Sequence, residues 1–115
     1  MSKLVYIENT IINKSVLHCS YEYDILSIQH SKHDSIHIDF SNSYNIDLKL
    51  DTFENDYCIP VIYQHKKSRK TIGYILMNNG VITDESINIL IDLIRLYFGI
   101  VVYNYDIYKI LETMF

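Results

Sequence analysis

The C-terminal segment of this 115-residue chain, from Thr83 to Phe115, constrains the fold more than any other stretch. On either side of an apolar middle, its polar residues recur at steps of three or four, which is the period of an amphipathic helix. At about 100° per residue they form one narrow stripe, and apolar side chains cover an arc of roughly 200°. The polar residues are Glu85, Asn88, Asp92, Arg95, Asp106, Lys109 and Thr113. The pattern predicts one long C-terminal helix with an apolar surface wider than a small sheet can cover.

The start of the predicted helix is marked by several local signals. Thr83 can act as the N-cap by accepting a hydrogen bond from a free backbone N–H of the first turn. Asp84 and Glu85 follow, at the end of the helix where the macrodipole favours negative charge. Asn79 and Gly80, just upstream, are typical of a tight turn. We therefore expect the helix to begin at residue 84.

Gly99 is the weakest point of the single-helix interpretation. A glycine inside a helix costs on the order of 1 kcal/mol relative to alanine. The residues that follow it, 100–103, would also suit a strand, because they are β-branched or aromatic. A break of the helix at Gly99 is therefore the alternative.

The residues before the helix alternate between apolar and polar, as half-buried strands do. The short link at residues 41–43 predicts that segments 35–42 and 44–51 pair as an antiparallel hairpin. A second hairpin is expected from residues 57–64 and 71–77, which flank a polar tip. The chain is therefore predicted to be α+β, with an antiparallel sheet of about six strands packed on a long C-terminal helix.

Composition indicates one globular domain over residues 1–115, with 49% apolar and 21% charged residues. The formal net charge of −4 argues against binding to nucleic acid or to an acidic membrane. No apolar run reaches the ~20 residues that span a bilayer, and the N-terminus lacks a signal-peptide pattern. The two cysteines, Cys19 and Cys58, are expected to be free thiols. These features favour a cytoplasmic protein.

No catalytic or metal-binding motif stands out, so we expect no enzymatic activity and no cofactor. The densest set of metal-ligand types is His30, His33, His37, Asp34 and Asp39. Imidazole and carboxylate groups suit zinc or a related ion. In an extended strand, however, only His37 and Asp39 share a face. We therefore interpret these residues as a solvated connection between strands rather than as a metal site.

Four of the ten cationic residues lie within five positions, at Lys66, Lys67, Arg69 and Lys70. Such a tip can contact an anion or an acidic partner. It can equally be a solvated hairpin end that discourages pairing between sheet edges. Both interpretations stay open from the sequence.

The chain has eleven tyrosines and no tryptophan, and tyrosine is enriched at protein interfaces. Together with the wide apolar arc, this predicts a homodimer or a protein-partner interface along the C-terminal helix. The alternative is that the N-terminal segment folds over the second flank of that helix. The predicted interface residues are Ile91, Ile94, Phe98, Ile100, Tyr103, Tyr105 and Ile107.

Residues 57–111 resemble the C-terminal half of a GAF domain. In that family an apolar strand with proline leads to a polar hairpin tip, and a glycine-containing strand and a turn follow. A serine or threonine then caps a long helix that begins with acidic residues. Here the corresponding positions are Ile59-Pro60-Val61, Ile72-Gly73-Tyr74, Asn78-Asn79-Gly80 and Ile82-Thr83-Asp84-Glu85. The resemblance implies a reduced GAF/PAS-like fold. Some cyclic-nucleotide-binding GAF domains carry an Asn-Lys pair at this turn. Here Asn78 is followed by Asn79, so that lysine is absent.

The function expected from these observations is a non-catalytic GAF-like regulatory, signalling or assembly module. It would homodimerise or dock a protein partner through its C-terminal helix. The alternatives are a small interaction factor, of viral origin for example and unrelated to GAF domains, and a small-molecule-binding GAF sensor.

Overall fold

The computed structural model describes residues 2–8, 14–42, 44–45 and 56–114. The chain is α+β, with a single antiparallel sheet followed by two helices. The strands are β1 (Ser2–Glu8), β2 (Lys14–Glu22), β3 (Ile25–Gln29), β4 (Asp34–Asp39), β5 (Tyr44–Asn45), β6 (Asp56–His65), β7 (Ser68–Asn78) and β8 (Val81–Ile82). The helices are α1 (Asp84–Phe98) and α2 (Asn104–Leu111), and short 3-10 turns cover Phe40–Asn42 and Glu112–Met114.

Apart from β5, the strands form a meander in which neighbours in the sheet follow one another along the chain. The order is β1-β2-β3-β4-β6-β7-β8, with every pair antiparallel, and β5 pairs with β6 off this path. Two of the connections are two-residue turns with positive φ at both positions, Tyr23 with Asp24 and Asn79 with Gly80. This geometry matches the twist of an antiparallel hairpin. The predicted α+β class is confirmed, and the described residues form eight strands, whereas about six were predicted for the chain.

The hairpin predicted from residues 35–42 and 44–51 is wrong. β4 and β5 do not pair with each other, because both lie along the same edge of β6. Ile38 is opposite Val61 and Tyr44 is opposite Cys58. The segment from β4 to β5 therefore advances six residues while β6 advances only three. The three extra residues form the 3-10 turn Phe40–Asn42. Residues 46–51 of the predicted hairpin lie outside the described ranges.

A local side-chain contact explains why the chain leaves the sheet after β4. The Asp39 carboxylate accepts hydrogen bonds from the Ser41 N–H at 3.0 Å and from the Ser41 hydroxyl at 2.6 Å. Such aspartate–backbone bonds favour a turn over a continued strand ladder. The alternation of apolar and polar residues in the sequence gives no sign that a turn competes with the strand here.

The prediction of one long C-terminal helix is also wrong. α1 ends at Gly99, which has φ 72° and ψ 17° and whose N–H donates to the Arg95 carbonyl at 3.0 Å. Glycine adopts this left-handed conformation without a Cβ clash, which makes it the usual helix terminator. Residues 100–103 are outside any helix, and α2 begins where Asp106 accepts a hydrogen bond from the Tyr103 N–H at 2.8 Å.

The start of α1 agrees with the prediction. The Ser86 N–H donates to the Thr83 hydroxyl oxygen at 3.3 Å, which is the N-cap interaction. The buried Ser86 hydroxyl oxygen in turn accepts a 2.6 Å hydrogen bond from the Leu76 N–H of β7. Further along, a Cβ at Gly73 would lie 3.2 Å from a methyl carbon of Leu93, so glycine allows α1 to lie close to β7.

The core lies between the helices and the inner face of the curled sheet. α1 packs on β7, whereas α2 contacts β1 and the turn Glu112–Met114 contacts β2. These strands stand at opposite ends of the sheet order, so the sheet covers both flanks of the helical segment. The alternative that the N-terminal segment folds over the second flank is therefore what the structure shows. Within the described ranges, no helix is long and apolar enough to cross a membrane.

Replacing Gly99 with alanine tests the helix break, because the two interpretations predict opposite signs. At φ 72° an alanine is strained, and we expect the free energy of unfolding to fall by about 1 kcal/mol. Apart from Gly99 and its two chain neighbours, no atom of the described residues lies within 4 Å of the added Cβ, so the loss comes from the local backbone alone. A continuous helix would instead gain about 1 kcal/mol from the alanine. Urea denaturation measures the difference, with Gly99→Asn as the control that tolerates the left-handed conformation.

Candidate protein-docking site

Helix α2 exposes aromatic side chains because only one side of this short helix reaches the core. Ile107 and Ile110 are buried, whereas Tyr105 and Tyr108 are exposed. Tyr103, just before the helix, stacks on Tyr105 with ring centres 6.0 Å apart and planes 13° from parallel. Exposed tyrosines can bury a large area on binding while their hydroxyls find partners at the rim. This surface is suited to protein contact.

A groove opens beside these tyrosines, between the β7–β8 turn, the start of α1 and the end of α2. Its volume is about 390 Å³. Val81 of β8, with 67% of its surface exposed, stands on one side and Tyr108, with 49% exposed, stands on the other. The remaining apolar lining residues are Met77, Ile82, Ile87, Leu111 and Met114. A mostly apolar lining with a few polar groups is typical of grooves that bind a ligand or a peptide.

Two carboxylates give the groove a negative rim. Asp84, in the first turn of α1, and Glu112, just after α2, both line it and are both exposed. The helix dipole stabilises Asp84 at this position, which is a structural reason for an acid there. Neither residue has an ion-pair partner in the part of the chain that the structure describes. The groove therefore favours an apolar group that carries positive charge beside it.

The structure separates the predicted interface residues into buried and accessible ones. The buried ones are Ile94, Phe98, Ile100 and Ile107, all within the core of the chain. Their burial follows from the curled sheet, which covers both flanks of the helical segment. The others are Ile91, which is partly buried, and Tyr103 and Tyr105, which are exposed. Only these three are accessible at the surface of the folded chain, and their role in an interface stays a prediction.

The basic hairpin tip does not form one patch. Lys66 and Lys67 occupy the turn between β6 and β7. Arg69 and Lys70 follow as consecutive residues of β7, so they point to opposite faces of the sheet. Lys70 lies on the inner face, where its Nζ is 5.4 Å from the centre of the Tyr97 ring.

The histidine and aspartate cluster of the sequence is divided among separate contacts. His37 hydrogen-bonds through its two ring nitrogens to the hydroxyls of Ser27, at 2.9 Å, and Ser35, at 2.8 Å. Burial, and to a lesser extent the nearby Arg69, lowers the pKa of His37. Asp39 instead stabilises the turn after β4. No three histidine, cysteine, aspartate or glutamate side chains converge into a metal site among the residues described.

Both cysteines are free, and neither is placed as a nucleophile. Burial raises the pKa of Cys19 to about 12 and also raises the pKa of Cys58. A thiol whose pKa is raised stays protonated near neutral pH and is a poor nucleophile. The arrangement therefore favours packing over thiol chemistry.

Sequence reasoning missed the groove, because its walls come from parts of the chain that no single pattern links. Val81 lies in a two-residue strand, and Tyr108 lies in the segment that was predicted to be one continuous helix. The one signal that pointed here was the excess of tyrosines in the C-terminal segment. Comparisons with protein-family models, with curated protein sequences and with solved structures give no significant match. The resemblance of residues 57–111 to GAF domains therefore stays a prediction.

Proposed function

We propose that this chain is a non-catalytic regulatory or assembly module that docks a protein partner through its C-terminal helical segment. The observation that carries the proposal is the apolar groove of about 390 Å³ between Val81 and Tyr108, continuous with the exposed tyrosines of α2. Solvent-exposed apolar concavities with a polar rim are typical of binding sites. The spacing of residues 57–111, which resembles that of GAF domains, supports a regulatory role.

The partner is expected to insert an apolar side chain into the groove and to place a lysine or arginine near Asp84 and Glu112. A groove of this volume accepts more than one side chain, so a short peptide segment fits better than a single residue. The Tyr108 ring, which lines the groove, would then cover the inserted segment and exclude water.

A different protein is preferred over a second copy of this chain. The formal net charge of −4 makes two copies repel each other, whereas a basic partner is attracted to the acidic rim. Homodimerisation through the same surface remains the second candidate, because Tyr103 and Tyr105 are exposed on it. The mass of the purified protein separates the two cases.

Replacing Tyr108 with serine should strongly weaken docking. We expect peptides selected from a random displayed library to combine an apolar residue with an adjacent lysine or arginine. Their affinity, measured by fluorescence anisotropy, should fall at least about tenfold in Tyr108→Ser, because a side chain at the centre of an interface carries much of the binding energy. Glu112→Lys should weaken binding of the same peptides through charge reversal.

Tyr74→Ser is the matched control for this experiment. Tyr74 lies on β7 and is 51% exposed, close to the 49% of Tyr108, but it does not line the groove. Equal losses in the two serine variants, or peptides that bind both variants as they bind the native chain, would contradict the proposed site. A doubled native mass that Tyr108→Ser returns to a single mass would identify the partner as a second copy.

A further inference from the structure

A row of three polar residues crosses the sheet near the hairpin tip. Asp34 of β4 is opposite His65 of β6, and His65 is opposite Ser68 of β7. Residues directly opposite each other share one face of a sheet. Tyr63 and Lys70 form the next pair on the same face. Because this face also carries the core, the row lies just beyond the end of the hydrophobic core.

Asp34 fixes the orientation of His65 in this row and of Tyr63 beside it. The Tyr63 hydroxyl donates a 2.8 Å hydrogen bond to Asp34 Oδ1, and His65 Nδ1 hydrogen-bonds to the same oxygen. These bonds, with that of His65 the stronger influence, lower the pKa of Asp34. The contact also turns the Nδ1 edge of His65 toward β4, and Nε2 has no hydrogen-bond partner among the described residues. Tyr97 of α1 packs against Tyr63 with ring centres 4.6 Å apart, which supports the assembly from the helix side.

An open pocket of about 370 Å³ lies in front of these groups. Its lining consists of Tyr63, His65, Ser68 and Lys70. The Ser68 hydroxyl and the Lys70 ammonium group are donors, and Lys70 has no carboxylate partner among the described residues. His65 Nε2 can donate to an anion when the ring is charged, or accept from a P–O–H group when it is neutral. Each of these three groups therefore complements an oxyanion that carries one or two charges.

We propose that this pocket binds the phosphate group of a phosphomonoester. Charge-assisted hydrogen bonds from lysine and histidine are among the strongest contacts a phosphate can make. The turn lysines, Lys66 and Lys67, add positive potential near the pocket. Asp34 does not line the pocket, and its Oδ1 is engaged by hydrogen bonds with His65 and Tyr63. The carboxylate therefore orients these side chains without occupying the phosphate site.

The same residues do not support a nucleophilic site. A serine nucleophile needs a hydrogen bond to its histidine base, and no such bond joins Ser68 to His65 within the described residues. The phosphate pocket is also separate from the docking groove. It lies beside Tyr97 at the end of α1, whereas the groove lies beside Asp84 at its start, about 20 Å away along the helix.

Titration of the ¹⁵N-labelled chain with phenyl phosphate tests the proposal, with inorganic phosphate and AMP as parallel ligands. We expect saturable shifts confined to the amides of residues 63–70 and of the adjacent end of α1. Lys70→Met keeps an apolar stem over Tyr97 but removes the charge, and the affinity should fall at least about tenfold. Tighter binding of AMP than of phenyl phosphate would identify a nucleotide as the source of the phosphate, and the reverse order would identify an aryl ester.

Lys67→Met is the matched control, because it removes the same charge from the turn, outside the lining of the pocket. Its affinity should change less than about twofold. Equal weakening by both methionine variants would show a diffuse electrostatic effect and would overturn the proposal. Shifts that do not saturate, or that centre on residues outside the pocket, would overturn it as well. A Tyr108→Ser chain should bind phenyl phosphate normally, which separates this result from any failure of the docking groove.

Discussion

Replacing Ile100 with aspartate should strongly destabilise the chain. Ile100 is 2% exposed and belongs to the core between the curled sheet and the helices. A carboxylate there would be buried without a partner, at a cost of several kcal/mol. Because a small domain is stable by only about 5–15 kcal/mol, we expect a loss of at least about 4 kcal/mol. Urea denaturation followed by circular dichroism measures it.

Leu96→Asp is the control for this substitution. Leu96 is also an apolar residue of the C-terminal segment, but it is 74% exposed, so the new carboxylate stays in water. Its free energy of unfolding should change by less than about 0.5 kcal/mol. If Ile100→Asp instead kept the native stability and converted a dimer to a monomer, Ile100 would belong to an interface between chains, and the core described above would be wrong.

The sheet was largely predictable because its signals are local. Alternation of apolar and polar side chains depends only on the two-residue period of a strand, so the inner faces of β3 and β4 follow directly from the sequence. The Asn79–Gly80 turn and the Thr83 N-cap are likewise encoded within a few residues. These elements form wherever the flanking chain permits them.

The helical segment was mispredicted because periodicity does not report a change of direction. The polar residues of α1 and α2 continue at helical spacing across the break, so their pattern is the same for one helix or two. What decides the break is the left-handed conformation of Gly99 together with the Asp106 cap. The apolar arc is as broad as predicted, but the curled sheet covers both of its flanks, so that Ile94 and Ile107 are buried within the chain.

The candidate sites depend on register and could not be placed from sequence. Asp34 and His65 are 31 positions apart and meet only because β4 pairs with β6 in one particular register. The basic residues of the tip looked like a single cluster, yet strand alternation divides Arg69 from Lys70. The groove needs the break at Gly99, because a continuous helix would not bring Tyr108 beside Val81.

Alkaline pH should destabilise the chain through Cys19. Burial raises the pKa of this thiol from 9.0 to about 12 in the folded state. Between these values the unfolded chain loses the thiol proton and the folded chain keeps it. The folded state therefore binds more protons, and the free energy of unfolding falls as pH rises, by about 1.4 kcal/mol per pH unit for this group. Below pH 9 the thiol is protonated in both states and has no such effect.

The contribution of Cys19 can be isolated by comparing the native chain with Cys19→Ala over this pH range. Other groups whose pKa burial raises, such as Tyr21 and Tyr63, change stability in the same direction in both proteins. The alanine variant should start less stable at pH 8, because a small cavity replaces the sulfur. Its stability should then fall less steeply, so that the gap between the two proteins narrows by about 2 kcal/mol from pH 9 to pH 10.5. Parallel pH profiles would mean that Cys19 is accessible to water in the folded chain, and that β2 does not seal the core on that side.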